Sequence, residues 1–115
     1  MEAPVRAPEI ARPAMTWFNV AAPLSLADLR GRIVILDFWT FCCINCMHVL
    51  PSLHRVEQRF PDEVAVIGVH SPKFFAEREP ENVAAAIARY GISHPVVHDP
   101  NMTLWREYAV RAWPT

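Results

Sequence analysis

Two short apolar runs of β-branched and aromatic residues stand out along the chain. One is Ile33–Trp39, interrupted only by Asp37, and the other is 64–69. Runs of this composition are typical of strands covered on both faces, so we expect 33–39 to be a buried central strand and 64–69 a second one. Shorter strands are predicted near 17–20 and at 95–98.

Apolar residues at spacings of three and four positions predict helices between these strands. The clearest set is Leu50, Leu53, Val56 and Phe60, which predicts a helix over 43–60. The same spacing predicts helices over 80–91, with Pro80 in its first turn, and over 101–110. The order strand, helix, strand favours a parallel pair with a crossover helix, and therefore an α/β fold.

The first sixteen residues form a separate, proline-rich segment. Pro4, Pro8 and Pro13 keep this segment extended, so we expect residues 1–16 to be flexible and nothing before Trp17 to contribute to the core. The folded domain is accordingly predicted at 17–115.

Composition narrows the classes of function. The chain has 115 residues, 52% of them apolar, and a net charge of -1 without charge blocks, which fits one packed core and excludes binding of nucleic acid or lipid through bulk charge. No run is long enough to span a bilayer, and the N-terminal segment lacks the apolar stretch of a signal peptide. We therefore expect a cytoplasmic protein without membrane contact.

All three cysteines lie within five positions, at Cys42, Cys43 and Cys46. The Cys43-x-x-Cys46 motif follows a predicted strand and opens a predicted helix, where free N–H groups and the helix dipole favour a thiolate on the first cysteine. This placement predicts redox chemistry, with Cys43 as the attacking thiol and Cys46 as the resolving thiol. The alternatives are a structural zinc site and two inert buried thiols.

Asp37 is a candidate acid-base group. Burying a carboxyl group in an apolar strand is costly and raises its pKa, which would suit a group that exchanges protons with Cys46. The alternative is a hydrogen-bonded core aspartate.

Other polar residues near the motif give weaker signals. Cys42 could compete with Cys43, supply a third redox state, or only fill space. His48 completes a Cys/His cluster, but ligands on one helical turn cannot easily surround a metal, so we expect no metal and no cofactor. The remaining histidines, at positions 54, 70, 94 and 98, show no spacing that converges on one point. Trp39, Phe41 and Trp113 are either core residues or an apolar platform for a partner peptide.

The chain resembles the thioredoxin superfamily from about Trp17 to Thr115. The resemblance is carried by Asp37-Phe38-Trp39, the Cys43/Cys46 pair, Pro51, and Trp113-Pro114-Thr115 at the end. It implies a three-layer fold with a central sheet, Asp37 as the buried acid-base group, Cys43 as nucleophile and Cys46 as resolving thiol. It also implies that Pro114 is a cis-proline facing the dithiol, with the Trp113 backbone beside Cys43 where a substrate strand can pair.

A narrower resemblance links Cys42-Cys43-Ile44-Asn45-Cys46 and Gly68-Val69-His70-Ser71-Pro72 to the thioredoxin-like domain of NHL-repeat-containing proteins. In that family a β-propeller follows this domain, and the superfamily's hairpin and last helix follow the cis-proline. None of these is encoded after Thr115, so we expect a fragment, truncated after the cis-proline and less stable than a longer chain.

The predicted function is thiol-disulfide exchange with protein thiol or disulfide substrates and a reductant that the sequence does not identify. Two alternatives remain. Thr40 lies three residues before Cys43, as in peroxiredoxins, which suggests a peroxidase. A redox-silent interaction module is also compatible with the fold.

Overall fold

The computed structural model describes residues 6–115, in which four strands form one mixed sheet. The strands are β1 (Trp17–Phe18), β2 (Ile33–Trp39), β3 (Val64–His70) and β4 (Val96–His98). Their order is β1-β4-β3-β2, with β1 antiparallel to β4 and the other neighbours parallel. The parallel pair predicted from the strand-helix-strand order is confirmed.

The described residues form three α-helices: α1 (Ile44–Arg59) between β2 and β3, α2 (Pro80–Arg89) between β3 and β4, and α3 (Thr103–Glu107) after β4. The first two agree with the helices predicted from apolar spacing. Helix α3 is shorter than the predicted 101–110 because Met102 (φ 60°) and Ala109 (φ 55°) adopt left-handed conformations, which cannot continue a right-handed helix. Within residues 6–115 no helix combines the length and hydrophobicity needed to cross a membrane.

Helices and loops cover both faces of the sheet, which gives three layers. On one face, side chains of α1 and α2, including Leu53 and Val83, pack on alternate residues of the sheet such as Val66 and Val96. On the other face, Leu104 of α3 packs against Val69 and its neighbours. Strand β3 is buried along its whole length, because both of its neighbours are strands and both of its faces are covered.

The expectation that 33–39 is a central strand buried on both faces is wrong. Strand β2 lies at the edge of the four-stranded sheet, and its first residue, Ile33, is 66% exposed, whereas its last three residues are buried. Thr115 exchanges two backbone hydrogen bonds with Phe38, of 2.8 and 3.2 Å, on the outer side of β2. A continuous apolar run indicates a strand but carries no information about strand order.

The expectation that nothing before Trp17 reaches the core is also wrong. Ile10 is completely buried in the same cluster as Phe38 and Leu104. The segment is held by polar contacts as well, since the Tyr108 hydroxyl donates to the Pro8 carbonyl at 2.5 Å and the Leu26 amide donates to the Glu9 carboxylate at 3.0 Å. The first five residues of the predicted flexible segment lie outside the described residues.

Candidate active site

The cysteines lie where the parallel strands β2, β3 and β4 end. This edge of a parallel sheet is where α/β proteins commonly place their functional groups, because the loops that leave the strands converge there. The loop from Thr40 to Cys43 connects β2 to α1 at this edge, and His70 and His98 end the two neighbouring strands. All three cysteines are free thiols.

Cys43 is the N-cap of α1. Its backbone is extended (φ -105°, ψ 108°), and its Sγ accepts a hydrogen bond of 3.2 Å from the backbone N–H of Cys46. The sulfur therefore occupies the position in which a capping side chain satisfies a free donor of the first helical turn. This donor and the positive end of the helix dipole both stabilise negative charge on Sγ. Cys43 is also partly exposed, so another molecule can reach its sulfur.

Cys46 lies in the first turn of α1 and is fully buried. Burial, the neighbouring Cys43 and the charge of Asp37 together raise the pKa of Cys46 to about 12. The second thiol of the motif consequently keeps its proton near neutral pH unless a base takes it.

Asp37 supplies a carboxyl group beside this thiol. It is only 4% exposed, its Oδ2 has no hydrogen-bond partner, and burial raises its pKa to about 6. Asp37 projects from the same face of β2 as Trp39, which packs in one cluster with Cys46. The buried carboxyl with a raised pKa that the sequence predicts is therefore present, and its Oδ2 accepts no hydrogen bond from another described residue.

His70 and His98 form a hydrogen bond with each other beneath the loop between Thr40 and Cys43. The Phe41 N–H donates to His70 Nε2 at 3.3 Å, so His70 Nδ1–H donates to His98 Nδ1 at 3.2 Å and His98 Nε2–H donates to the Arg78 carbonyl at 2.8 Å. Burial, and then the neighbouring His98, lower the pKa of His70 to about 3, which keeps this chain of hydrogen bonds neutral. The spacing of the two histidines in the sequence does not reveal this contact, because it forms only where β3 and β4 lie side by side.

Glu77 is a second residue beneath the loop that sequence reasoning missed. It belongs to a 3-10 turn, Phe75–Arg78, is fully buried, and accepts hydrogen bonds from the Thr40 hydroxyl and from the Cys42 N–H at 3.1 Å. His70 and Glu77 thus hold the successive amides of Phe41 and Cys42. No pattern in the sequence distinguishes Glu77 from the other acidic residues.

The aromatic residues predicted to bind substrate divide into two groups. Trp39 is only 1% exposed and belongs to the core, which is the first of the two alternatives that the sequence left open. Phe41 and Trp113 are partly exposed and pack against the cluster that contains Cys46. Trp113 is fixed by a hydrogen bond of 2.8 Å from its Nε1–H to the Ser71 carbonyl, and the peptide bond to Pro114 is cis.

The site contains no evident metal ligand set. Among residues 6–115, no three His, Cys, Asp or Glu side chains are grouped so that they could hold a metal ion.

The chain combines a mixed, three-layer α/β fold with two cysteines at the start of its first long helix. This combination is typical of one class of thiol-containing domains. The family model described as thioredoxin-like matches residues 31–115, and the chain belongs to this family. The fold expected from sequence is confirmed. A solved thioredoxin-like superfamily protein superposes on the chain with a TM-score of 0.83 and 34% sequence identity, covering 94% of this chain and 74% of that one.

Similar sequences include NHL-repeat and oxidoreductase proteins. The chain is 50% identical over 102 residues to the Arabidopsis thaliana chloroplastic protein SUPPRESSOR OF QUENCHING 1, covering 88% of this chain and 10% of that protein. It is 48% identical over 111 residues to chicken (Gallus gallus) NHL repeat-containing protein 2, covering 94% of this chain and 15% of that protein. It is 30% identical over 94 residues to the thiol-disulfide oxidoreductase ResA of Halalkalibacterium halodurans, covering 80% of this chain and 50% of that protein.

These relatives confirm the resemblance to the thioredoxin-like domain of NHL-repeat proteins. They also show that the family includes thiol-disulfide oxidoreductases. The chain spans only 10% and 15% of the length of the first two relatives, so it corresponds to one part of each.

Proposed function

We propose that this domain exchanges disulfides with protein substrates through Cys43 and Cys46. The observation that carries the proposal is the unequal environment of the two sulfurs. Cys43 Sγ is accessible and accepts an N–H from the helix start, whereas Cys46 is buried beside an acidic group. An accessible sulfur that can act as the nucleophile and a protected second thiol are what a two-step exchange requires.

The exchange begins when the Cys43 thiolate attacks a substrate disulfide. A bond forms between Cys43 and one substrate sulfur, and the other substrate sulfur leaves as a thiolate. The Asp37 carboxylate then takes the Cys46 proton, and the Cys46 sulfur attacks Cys43 Sγ and releases the second substrate thiolate. The substrate gains two electrons, the domain is left with a Cys43–Cys46 disulfide, and an external dithiol restores it.

Asp37 is suited to this step because its pKa of about 6 lies below that of Cys46 but close to neutral pH. At neutral pH the carboxylate is available as a base, and after exchange it can return the proton during reduction of the disulfide. Its charge also disfavours a permanent thiolate on Cys46.

A protein substrate fits the surface around Cys43. Phe41 and Trp113 are partly exposed and pack in the same apolar cluster as Cys43, and Pro114, which follows Trp113, is also partly exposed. Such a surface can receive an extended peptide, while the positions of Phe41 and Trp113 are fixed by their hydrogen bonds to His70 and Ser71.

The peroxidase alternative has less support. Peroxide reduction would need the Thr40 hydroxyl beside the reacting sulfur, but Thr40 is fully buried and its hydroxyl donates to Glu77. The redox-silent module is disfavoured by the accessible Cys43 and by the buried acid at Cys46.

Insulin reduction tests the proposal. With dithiothreitol as the reductant, we expect Cys43→Ser to reduce catalysed insulin precipitation to the uncatalysed rate, because the attacking sulfur is lost. Cys46→Ser should accumulate mixed disulfides with substrate, because nothing resolves them. Cys42→Ser is the matched control and should retain activity. The proposal is wrong if unmodified protein fails to accelerate insulin reduction, or if Cys46→Ser forms no adducts.

A further inference from the structure

Cys42 presents a chemical problem for a two-cysteine exchange. It is an exposed free thiol next to the proposed nucleophile, Cys43. If Cys42 were ionised, its thiolate would attack the substrate disulfide in place of Cys43, forming a Cys42–substrate bond and releasing a substrate thiolate. A site that uses only Cys43 and Cys46 needs some means of keeping Cys42 protonated.

The carboxylate of Glu77 lies beneath Cys42 and is completely buried. Oε2 accepts from the Thr40 hydroxyl and from the Cys42 N–H at 3.1 Å, and Oε1 accepts from the backbone N–H groups of Phe74 at 2.9 Å and Lys73 at 3.2 Å. All four partners are donors, which matches an ionised carboxylate that can only accept. Among the described residues, no cationic side chain forms an ion pair with Glu77.

The two adjacent cysteines therefore face opposite charges. Cys43 Sγ accepts an N–H at the positive end of α1, whereas Cys42 is tied through its own amide to a buried anion. Because the Glu77 carboxylate is fully buried, water screens its charge less than that of a surface carboxylate, and the charge therefore acts on the adjacent Cys42 thiol.

We infer that Glu77 keeps Cys42 in the protonated thiol form and so restricts disulfide exchange to Cys43 and Cys46. This inference rests on the proposed function of the site. Partial desolvation raises the pKa of Cys42, the negative charge of Glu77 raises it further, and the positive charge of Arg89 offsets part of this increase. Glu77 is thus a residue that selects the nucleophile without itself contacting substrate.

The test uses a chain in which Cys42 is the only cysteine, made with Cys43→Ser and Cys46→Ala. The rate at which iodoacetamide modifies Cys42 is measured by mass spectrometry across a range of pH. Adding Glu77→Gln removes the charge at nearly constant shape, and we expect the rate near neutral pH to rise about three- to tenfold, with a lower pH midpoint. An unchanged rate would overturn the inference.

Two control variants separate the charge from other effects. Glu79→Gln removes a charge from an exposed position two residues away and should leave the Cys42 rate unchanged. Thr40→Val removes one donor to Glu77 but keeps its charge, so it should not speed the reaction. If Thr40→Val or Glu79→Gln raises the rate as much as Glu77→Gln, the charge of Glu77 is not what protects Cys42.

A further measurement needs no substitution at Glu77. The pH midpoint of Cys42 modification should be higher in the folded chain than in the same chain unfolded in urea. An equal or lower midpoint in the folded chain would contradict the inference. This comparison can be made even if the Glu77→Gln variant does not fold. Because this chain lacks both exchanging cysteines, its results are independent of the insulin assay. Failure of the proposed function and failure of this inference are therefore distinguishable.

Discussion

At the scale of single residues, Asp37 shows how a local pattern can reveal a buried carboxyl group with a raised pKa. One acidic residue within an apolar strand is unfavourable unless something compensates for its burial. The structure provides no hydrogen-bond partner for Oδ2, so the cost appears as a pKa raised to about 6 from an ordinary value of 3.8. We interpret the unfavourable ionisation of buried Asp37 as the consequence of placing a proton acceptor beside Cys46.

Replacement of Asp37 by asparagine tests this interpretation through stability. A raised folded-state pKa means that ionisation destabilises the fold, so the folded chain loses stability as pH rises from about 4 through 6 and beyond, by up to about 3 kcal/mol. Asn cannot ionise. We expect the free energy of unfolding of Asp37→Asn, minus that of the unmodified chain, to be about 2 kcal/mol higher at about pH 8 than at about pH 4.

Urea unfolding of the reduced proteins at both pH values measures this difference. Asp62→Asn, at an exposed position, is the matched control and should show little dependence on pH. A difference between Asp37→Asn and the unmodified chain that is the same at both pH values would contradict the raised pKa.

At the scale of elements, the register between β2 and β3 decides which side chains pack against each other beneath Cys43 and Cys46. Asp37 pairs with Gly68 in the parallel ladder, and Gly68 pairs on its other side with Val96. A Cβ atom at Gly68 would lie 3.0 Å from Trp39 Nε1, 3.2 Å from Val96 Cγ2 and 3.3 Å from His94 Nε2. The absence of a side chain at Gly68 therefore makes room for the Trp39 indole.

Gly68→Ala should destabilise the fold by about 1–3 kcal/mol, because a methyl group would overpack this space. Trp39→Phe removes the closest atom and should relieve part of the cost, so the double variant should be more stable than the sum of the two single effects predicts. Urea midpoints of the two single variants and the double variant measure this coupling. Strictly additive effects would show that Trp39 does not restrict the space at Gly68.

At the scale of the whole molecule, the segment before β1 is part of the domain. Ile10 is fully buried, and its cluster covers the face of the sheet opposite α1 and α2. The segment has no helical or strand periodicity, so its contribution to the core depends on a single apolar side chain and is not visible as a pattern.

Ile10→Ala should therefore lower the free energy of unfolding by about 2–5 kcal/mol, as expected for truncating a large buried aliphatic side chain. Ile33→Ala is the matched control, because Ile33 is 66% exposed, and it should change stability much less. The free energies of unfolding in urea compare the two variants. Equal small effects would mean that the segment before Trp17 does not stabilise the domain.

The sequence by itself determined most of the elements and the place of the Cys43/Cys46 pair in them. Apolar spacing located α1 and α2, the apolar runs located β2 and β3, and Cys43 was placed at a helix start because strand, motif and helix are consecutive in the chain. These features are local, since hydrogen bonds and side-chain spacing within about one or two helical turns decide them.

Only the tertiary structure decided which strand is central and which polar groups meet. The edge position of β2, the burial of Ile10 and the core position of Trp39 all depend on what packs against them from distant parts of the chain. Glu77 and Cys42 are 35 positions apart, and His70 and His98 are 28 positions apart. Contacts over such separations leave no period in a single sequence, because they arise only when the strands that carry the loops align side by side.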